Sequence, residues 1–388
     1  MLMATFVSWV GQRLGAIALP LVALAQTGEA WTTGLVAGAA GLPVIAAPWW
    51  TARLRHRVDS GRMLGLLTAL AAAGTAAVPV AALTIGLGAG TLVASGLVLG
   101  GCTALTAPGQ RALLADIGDA LSPATSVRAL TGQDFAHRIS MTFAPALGAL
   151  VVALGHPITL LWVESAALAT AAGLLAAVPS YPAVRMAGEL NPAPSLREAL
   201  RQRPTIARAI AVNAIGGACW FAFSLGLAIR GAEIGRPGVL IAAGMTGYGI
   251  ASVLGAALAP LAVPRLPVLP TIGAGWALLG VSFVALSVVL DSPGAVLACG
   301  ALGGAAMPLL IGAHNALIAG GTTGQLRRAC FAADATAYAA AGAVGMTLGG
   351  AVIGVAGAPA TLLAAGTVQL LAPGLLVLRR RPRTRPTP

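Results

Sequence analysis

The chain has 388 residues, 57% hydrophobic and only 9% charged, with a mean hydropathy of +0.88. A water-soluble domain carries about 25% charged residues, so too little polar surface is present to cover a globule in water. The formal net charge is +12 and all 23 basic residues are arginine, which excludes a G-x-x-x-x-G-K-[ST] phosphate loop and a lysine Schiff base.

Apolar runs of about 20 residues recur with short polar breaks, the pattern of membrane-spanning helices. They predict an all-α membrane protein with twelve spans: 2–25, 31–52, 62–82, 86–107, 126–152, 156–178, 205–228, 237–261, 268–290, 294–319, 329–354 and 358–378. The first run lacks a basic leader and continues past Pro20, so it reads as a span that stays. It begins without the usual cytoplasmic tail, which leaves room for a start codon upstream. The 51 glycines and 4% aromatic content fit helices that approach closely in lipid. Spacings such as Gly34-x-x-x-Gly38, Gly345-x-x-x-Gly349 and Gly350-x-x-x-Gly354 read the same way. Cys102, Cys219, Cys299 and Cys330 are scattered in or beside apolar runs and read as small buried hydrophobes.

Arginine placement orients the spans. Arg53, Arg55, Arg57 and Arg62 follow span 2, Arg111 and Arg128 follow span 4, and the central stretch and the tail are also arginine-rich. The opposite loops hold only Arg230 and Arg236. The positive-inside rule then puts both termini in the cytoplasm of a cell (inner) membrane protein. This alternation follows the membrane and gives no nucleic-acid footprint.

The longest polar stretch divides the chain into an N-terminal bundle (1–178), a linker (179–204) with a short amphipathic helix at 196–203, a C-terminal bundle (205–378) and a basic tail (379–388). The two bundles resemble each other. At an offset of 200, Arg128, Ala129 and Asp134 lie over Arg328, Ala329 and Asp334, and RALLAD from Arg111 resembles NALIAG from Asn315. Duplicated six-helix halves are a transporter design.

Three stretches resemble the major facilitator superfamily, and within it the branch of macrolide, multidrug and siderophore exporters. They are IALPLVALAQTGEAWTTGLVAGAAGLPVIAAP (17–48), APGQRALLADI (107–117), and TARLRHRVDSGRM (51–63), which lies where the family keeps its G-x-x-x-D-R-x-G-R-R loop. The resemblance implies two pseudo-symmetric six-helix bundles and a cytoplasmic gate loop containing His56, Arg57, Asp59 and Arg62. His56 stands where the family's latching aspartate is expected, and Ala52 and Asp59 replace its glycines. A histidine there latches weakly or in a pH-dependent way. The antiporter signature G-P-x-x-G-G reads APALGA (144–149), with Pro145 and Gly148 kept.

Ionisable groups inside spans cost about 2.5–3.5 kcal/mol on insertion scales and are normally paired or face a cavity. Counting along the helices places Arg13, Arg138 and Glu164 at similar mid-membrane depth. Asp134 and His137 share a helix face with Arg138. Two readings are open: a fixed ion-pair network that holds spans 1, 5 and 6, or a carboxylate that exchanges protons as the halves rock. Glu164 is the first candidate for the exchanging group and Asp134 the second, because desolvation favours a neutral carboxyl unless an arginine stays near. Asp334 and His314 fall near the cytoplasmic ends of their spans, where the helix dipole suits Asp334. The resemblance implies that span 7 lines the central cavity, so Asn213, Trp220, Phe221 and Phe223, with His314 and Asn315, are candidates to line it for a bulky apolar ligand, with lipid-facing packing the alternative for each aromatic.

The expected function is a proton-coupled exporter of a small amphipathic or hydrophobic compound, acting as a monomer without cofactor or metal. A metabolite importer or a transport-dead sensor are the alternatives. An enzyme is disfavoured, since no H-E-x-x-H or nucleophile–base pattern occurs.

Overall fold

The computed structural model describes residues 1–51, 54, 58, 60–121, 154–178, 200–201, 203–322 and 324–377, together with scattered positions in 129–152; side chains at 48–49, 112, 115–116, 118–121, 260, 324–325, 327–329 and 332 are not described. Asp134, Arg138, His56, Arg57 and Asp59, most of the linker and the tail lie outside the described residues.

The continuous α-helices among the described residues are α1 (Leu2–Thr27), α2 (Ala30–Ala39), α3 (Leu42–Trp50), α4 (Gly61–Thr84), α5 (Ala89–Leu121), α6 (Pro157–Ala176), α7 (Pro204–Glu233), α8 (Val239–Ala262), α9 (Val268–Val289), α10 (Pro293–Gly321), α11 (Gly324–Leu371) and the short α12 (Gly374–Val377). No strand occurs among the described residues. Lipid offers the backbone no partner, so each spanning segment must satisfy its own hydrogen bonds, and helices do this. Among the described residues ten segments are long and apolar enough to cross a membrane, and the chain is a multi-pass membrane protein. Two stretches bear on the expected twelve. The described positions from 129 to 152, where a fifth span is expected, are helical. The last segment, Ala333–Val377, runs 45 residues and is broken at Gly357 (φ 77°, ψ 161°), a left-handed backbone that suits glycine. Each side of that break is long enough to span.

Helix α1 packs on α6 and α2, and α4 packs on α5 and α6. In the second part of the chain α7 packs on α11, α8 on α10, and α9 on both α10 and α11. Missing side chains allow these approaches. A Cβ on Gly65 of α4 would lie 2.8 Å from the Ala172 carbonyl of α6, and one on Gly217 of α7 would lie 2.7 Å from that of Tyr338 in α11. Such contacts replace the hydrophobic drive that lipid does not provide.

The two ends of the molecule are joined differently. At the end away from the arginine-rich loops, α2 lies flush on α11: a Cβ on Gly34 would sit 2.6 Å from the Gly350 amide, and one on Gly38 2.8 Å from the Thr347 amide. Gly238, which caps α8, meets Val152 and Leu21 at the same end. One buried apolar cluster runs through both parts there, from Leu21 and Val22 to Ile241 and Ile353. At the arginine-rich end the clusters are separate: Ala4, Leu64, Leu113 and Leu175 in one part, Ile206, Ile210, Ile318 and Cys330 in the other.

Candidate functional site

Glu164 lies in the middle of α6 and is 2% exposed. It is held by what α1 lacks. Gly11 and Gly15 stand one turn apart on the face of α1 that meets α6; a Cβ on Gly11 would lie 3.2 Å from the Glu164 carbonyl, and one on Gly15 would overlap the Glu164 carboxylate. The carboxylate therefore rests on the bare backbone at Gly15. Among the described residues its Oε1 has no hydrogen-bond partner.

That carboxylate borders a cavity of about 150 Å³ lined by α1, α2, α4, α5, α6, α7, α8 and α11. The walls are mostly aliphatic. The polar groups are Gln12, Thr75, Ser95 and Ser224. Thr75 is buried and its Oγ1 is also without a partner. Gln12 donates to Ser8 Oγ (2.8 Å), and the Ser224 hydroxyl is turned to the Trp220 carbonyl (3.2 Å) and Met346 Sδ (3.6 Å).

Arg13 does not reach this cavity. The expected partnership with Glu164 rested on matching depth, and depth says nothing about which way a side chain points. Arg13 is two residues from Gly11 and from Gly15, hence about 200° round the helix from both. It points to the opposite side of α1, where its Nη2 meets His137 Nε2 at 3.2 Å. The His137 ring lies edge-on to Trp9 at 4.6 Å. Tyr248 and Tyr338 are within electrostatic range of the Arg13 guanidinium.

On that side a larger cavity of about 430 Å³ opens between Arg111 and His137 on one wall and α8, α10 and α11 on the other. Asp334 faces it. Asn213 Nδ2 donates to Asp334 Oδ1 at 2.9 Å, and His314 Nε2 stands 3.0 Å from the same oxygen. The latter is an ion-pair contact outside hydrogen-bonding angles. Asn315 also lines this cavity. Tyr338 is one turn along α11 from Asp334 and senses both Asp334 and Arg13.

The structure thus gathers Arg13 with His137, and Asn213 and His314 with Asp334, and leaves Glu164 apart. The three aromatics of α7 are found packed against other helices. Phe223 is 1% exposed and stacks on Phe283 at 5.6 Å. Phe221 lies against Gly349 of α11. Trp220 packs on Phe223 and Tyr248 at 5.1 and 5.2 Å. None of the three lines either cavity, because apolar rings on a helix surrounded by helices find packing partners on every side. Arg62 is exposed in the first turn of α4, next to the N-cap Ser60. Gly15 and Thr75 were missed. A small-residue stripe in α1 (Ala4, Ser8, Gly11, Gly15, Ala18), all buried, is the signal that marks the face against α6.

No family model matches the chain, and no curated protein matches it by sequence. Solved structures do match in shape. They include the nucleoside transporter NupG (TM-score 0.73, 12% identity, 97% of this chain and 98% of that one) and a POT family transporter in complex with a thioalcohol-conjugated peptide (0.75, 13%, 97% and 95%). A third is a D-xylose-proton symporter (0.69, 14%, 97% and 96%). The chain has the major facilitator fold.

Proposed function

We propose that the protein is a secondary transporter that exports a small amphipathic or hydrophobic compound in exchange for protons. Twelve spans in two six-helix bundles (1–178 and 205–378) would rock about the central cavity, with both termini and the arginine-rich loops in the cytoplasm. In this reading the flush packing of α2 on α11 closes the outer side, and the 430 Å³ cavity is the cytoplasmic vestibule. The observation that carries the proposal is Glu164: a buried carboxylate with an unpartnered oxygen, on a cavity whose walls come from both bundles. An ionised carboxylate in apolar walls costs several kcal/mol unless a cation accompanies it, so proton binding and release there would be tied to opening of the cavity to water.

Purified protein in liposomes tests this with a pH step and a panel of dyes, macrolides and siderophores. The expected result is accumulation driven by the gradient and abolished by Glu164→Gln, with substrate exchange preserved. Accumulation by the Glu164→Gln protein would overturn it. The shape likeness to a D-xylose-proton symporter favours an importer as the second reading. Symport shows as substrate moving with the protons rather than against them.

A further inference from the structure

Resting on that reading, the cavity at Glu164 also points to the kind of molecule that is moved. Its size is the first constraint. About 150 Å³ is the space that holds one benzene-sized group in an apolar protein interior; a macrolide or a siderophore does not fit it whole. Its chemistry is the second. The lining is aliphatic, apart from the four uncharged polar side chains and a single carboxylate. Among the described residues lining it, from α1, α2, α4, α5, α6, α7, α8 and α11, Glu164 is the one titratable group. Arg13 of α1 is turned to His137, and Arg62 of α4 is exposed in that helix's first turn.

A ligand here meets two unsatisfied oxygen acceptors, Glu164 Oε1 and Thr75 Oγ1, both buried to 2% exposure. An ammonium group brings three donors and one positive charge, and charge-assisted hydrogen bonds to a carboxylate are the strong ones. An anionic ligand would place like charge beside Glu164 in a low-dielectric site. A neutral hydrocarbon would leave both oxygens unpaired, at about 1–3 kcal/mol each. Met346, a flexible side chain that adapts to different shapes, closes one wall.

We propose that this cavity is the binding site for small lipophilic monoamines with a single ring, and that the protonated amine and a proton occupy Glu164 in alternation. The balance is then one cation for one cation. The amine enters as R–NH₃⁺, the carboxyl proton leaves to water, and the exchange moves no net charge.

The probe is phenethylamine, with phenethyl alcohol as its neutral counterpart, titrated into the purified full-length protein in weakly buffered detergent. Aliphatic amines stay protonated through neutral pH. Competition therefore predicts one proton released per amine bound at acid pH, and a Kd that tightens about tenfold per pH unit as pH rises until Glu164 is ionised. The alcohol should bind more weakly and without that slope. Glu164→Gln should remove both the proton release and the slope; since the wild-type pH dependence is measured on the unaltered chain, a misfolded variant does not rescue the idea. Absence of amine binding, a pH-independent Kd, or an alcohol as tight as the amine each overturns the proposal. Those results leave proton-coupled transport standing if Glu164→Gln still abolishes gradient-driven accumulation of a panel compound. Persistence of that accumulation overturns the transport reading, whatever the amine does.

Discussion

Glu164 and Asp334 are both carboxylates inside the helical bundle, and their surroundings are opposite. Asp334 shares one oxygen between Asn213 and His314 and faces a large, partly polar cavity. Glu164 sits on a bare glycine backbone against aliphatic walls, with Oε1 unpartnered. The first arrangement is a polar cluster in which one carboxylate oxygen ties α7, α10 and α11 together. The second is a group with one favourable partner missing, which a proton or a ligand would supply. A buried polar atom without a partner calls for an explanation, and a bound proton or ligand is one.

The largest expected effect breaks the comparison at its sharper end. Glu164→Gln should reduce proton-driven accumulation in liposomes to background, while substrate exchange at equal pH persists. The neutral amide keeps the shape and removes the exchangeable proton. The same measurement on Asp334→Asn should show accumulation retained. Equal loss in both would mean that the two carboxylates act as one unit.

Gly15→Ala comes next. The added Cβ falls on the carboxylate, so the Glu164 side chain must leave its seat or α1 must move from α6. Overpacking of this kind costs about 1–3 kcal/mol, read as a lower thermal midpoint in detergent. In a Glu164→Ala background the same change should cost less, because the clashing group is gone. An undiminished cost in that background would show that helix contact at Gly11 and Ala167, rather than the carboxylate, limits the site.

Asp334→Asn is expected to lower stability modestly, by about 1–3 kcal/mol, since it alters the oxygen that accepts from Asn213 and lies against His314. Asn213→Ala should lose a similar amount alone and little more when combined with Asp334→Asn. Strict additivity would separate the two residues.

The helical class and most of the spans were legible because hydropathy reports depth directly, and each spanning helix needs about 20 apolar residues. Glu164 was legible for the same reason, as a rare charge in an apolar run. What stayed illegible was azimuth. Trp220, Phe221 and Phe223 are consecutive or nearly so on α7, and each points to a different neighbour; apolar surroundings on all sides erase the amphipathic pattern that reveals direction in soluble helices. Asp334 likewise read as a helix-end carboxylate, since its partners Asn213 and His314 lie 121 and 20 residues away in sequence.

The smallest expected effect concerns Arg13 and Glu164, where depth alone predicted a pair. In the structure Gly11 and Gly15 face α6, and Arg13, on the opposite side of α1, meets His137. A double-mutant cycle with Arg13→Gln and Glu164→Gln should therefore give a coupling energy within about 0.5 kcal/mol of zero, as for sites without shared partners. The cycle of Arg13→Gln with His137→Ala should exceed that, because these two side chains touch. Thermal midpoints in detergent measure both cycles under one condition. A large coupling between Arg13 and Glu164 would place them together in another state of the transport cycle, with α1 turned relative to α6. The contrast between an isolated carboxylate and a partnered one would then hold for only one end of the motion.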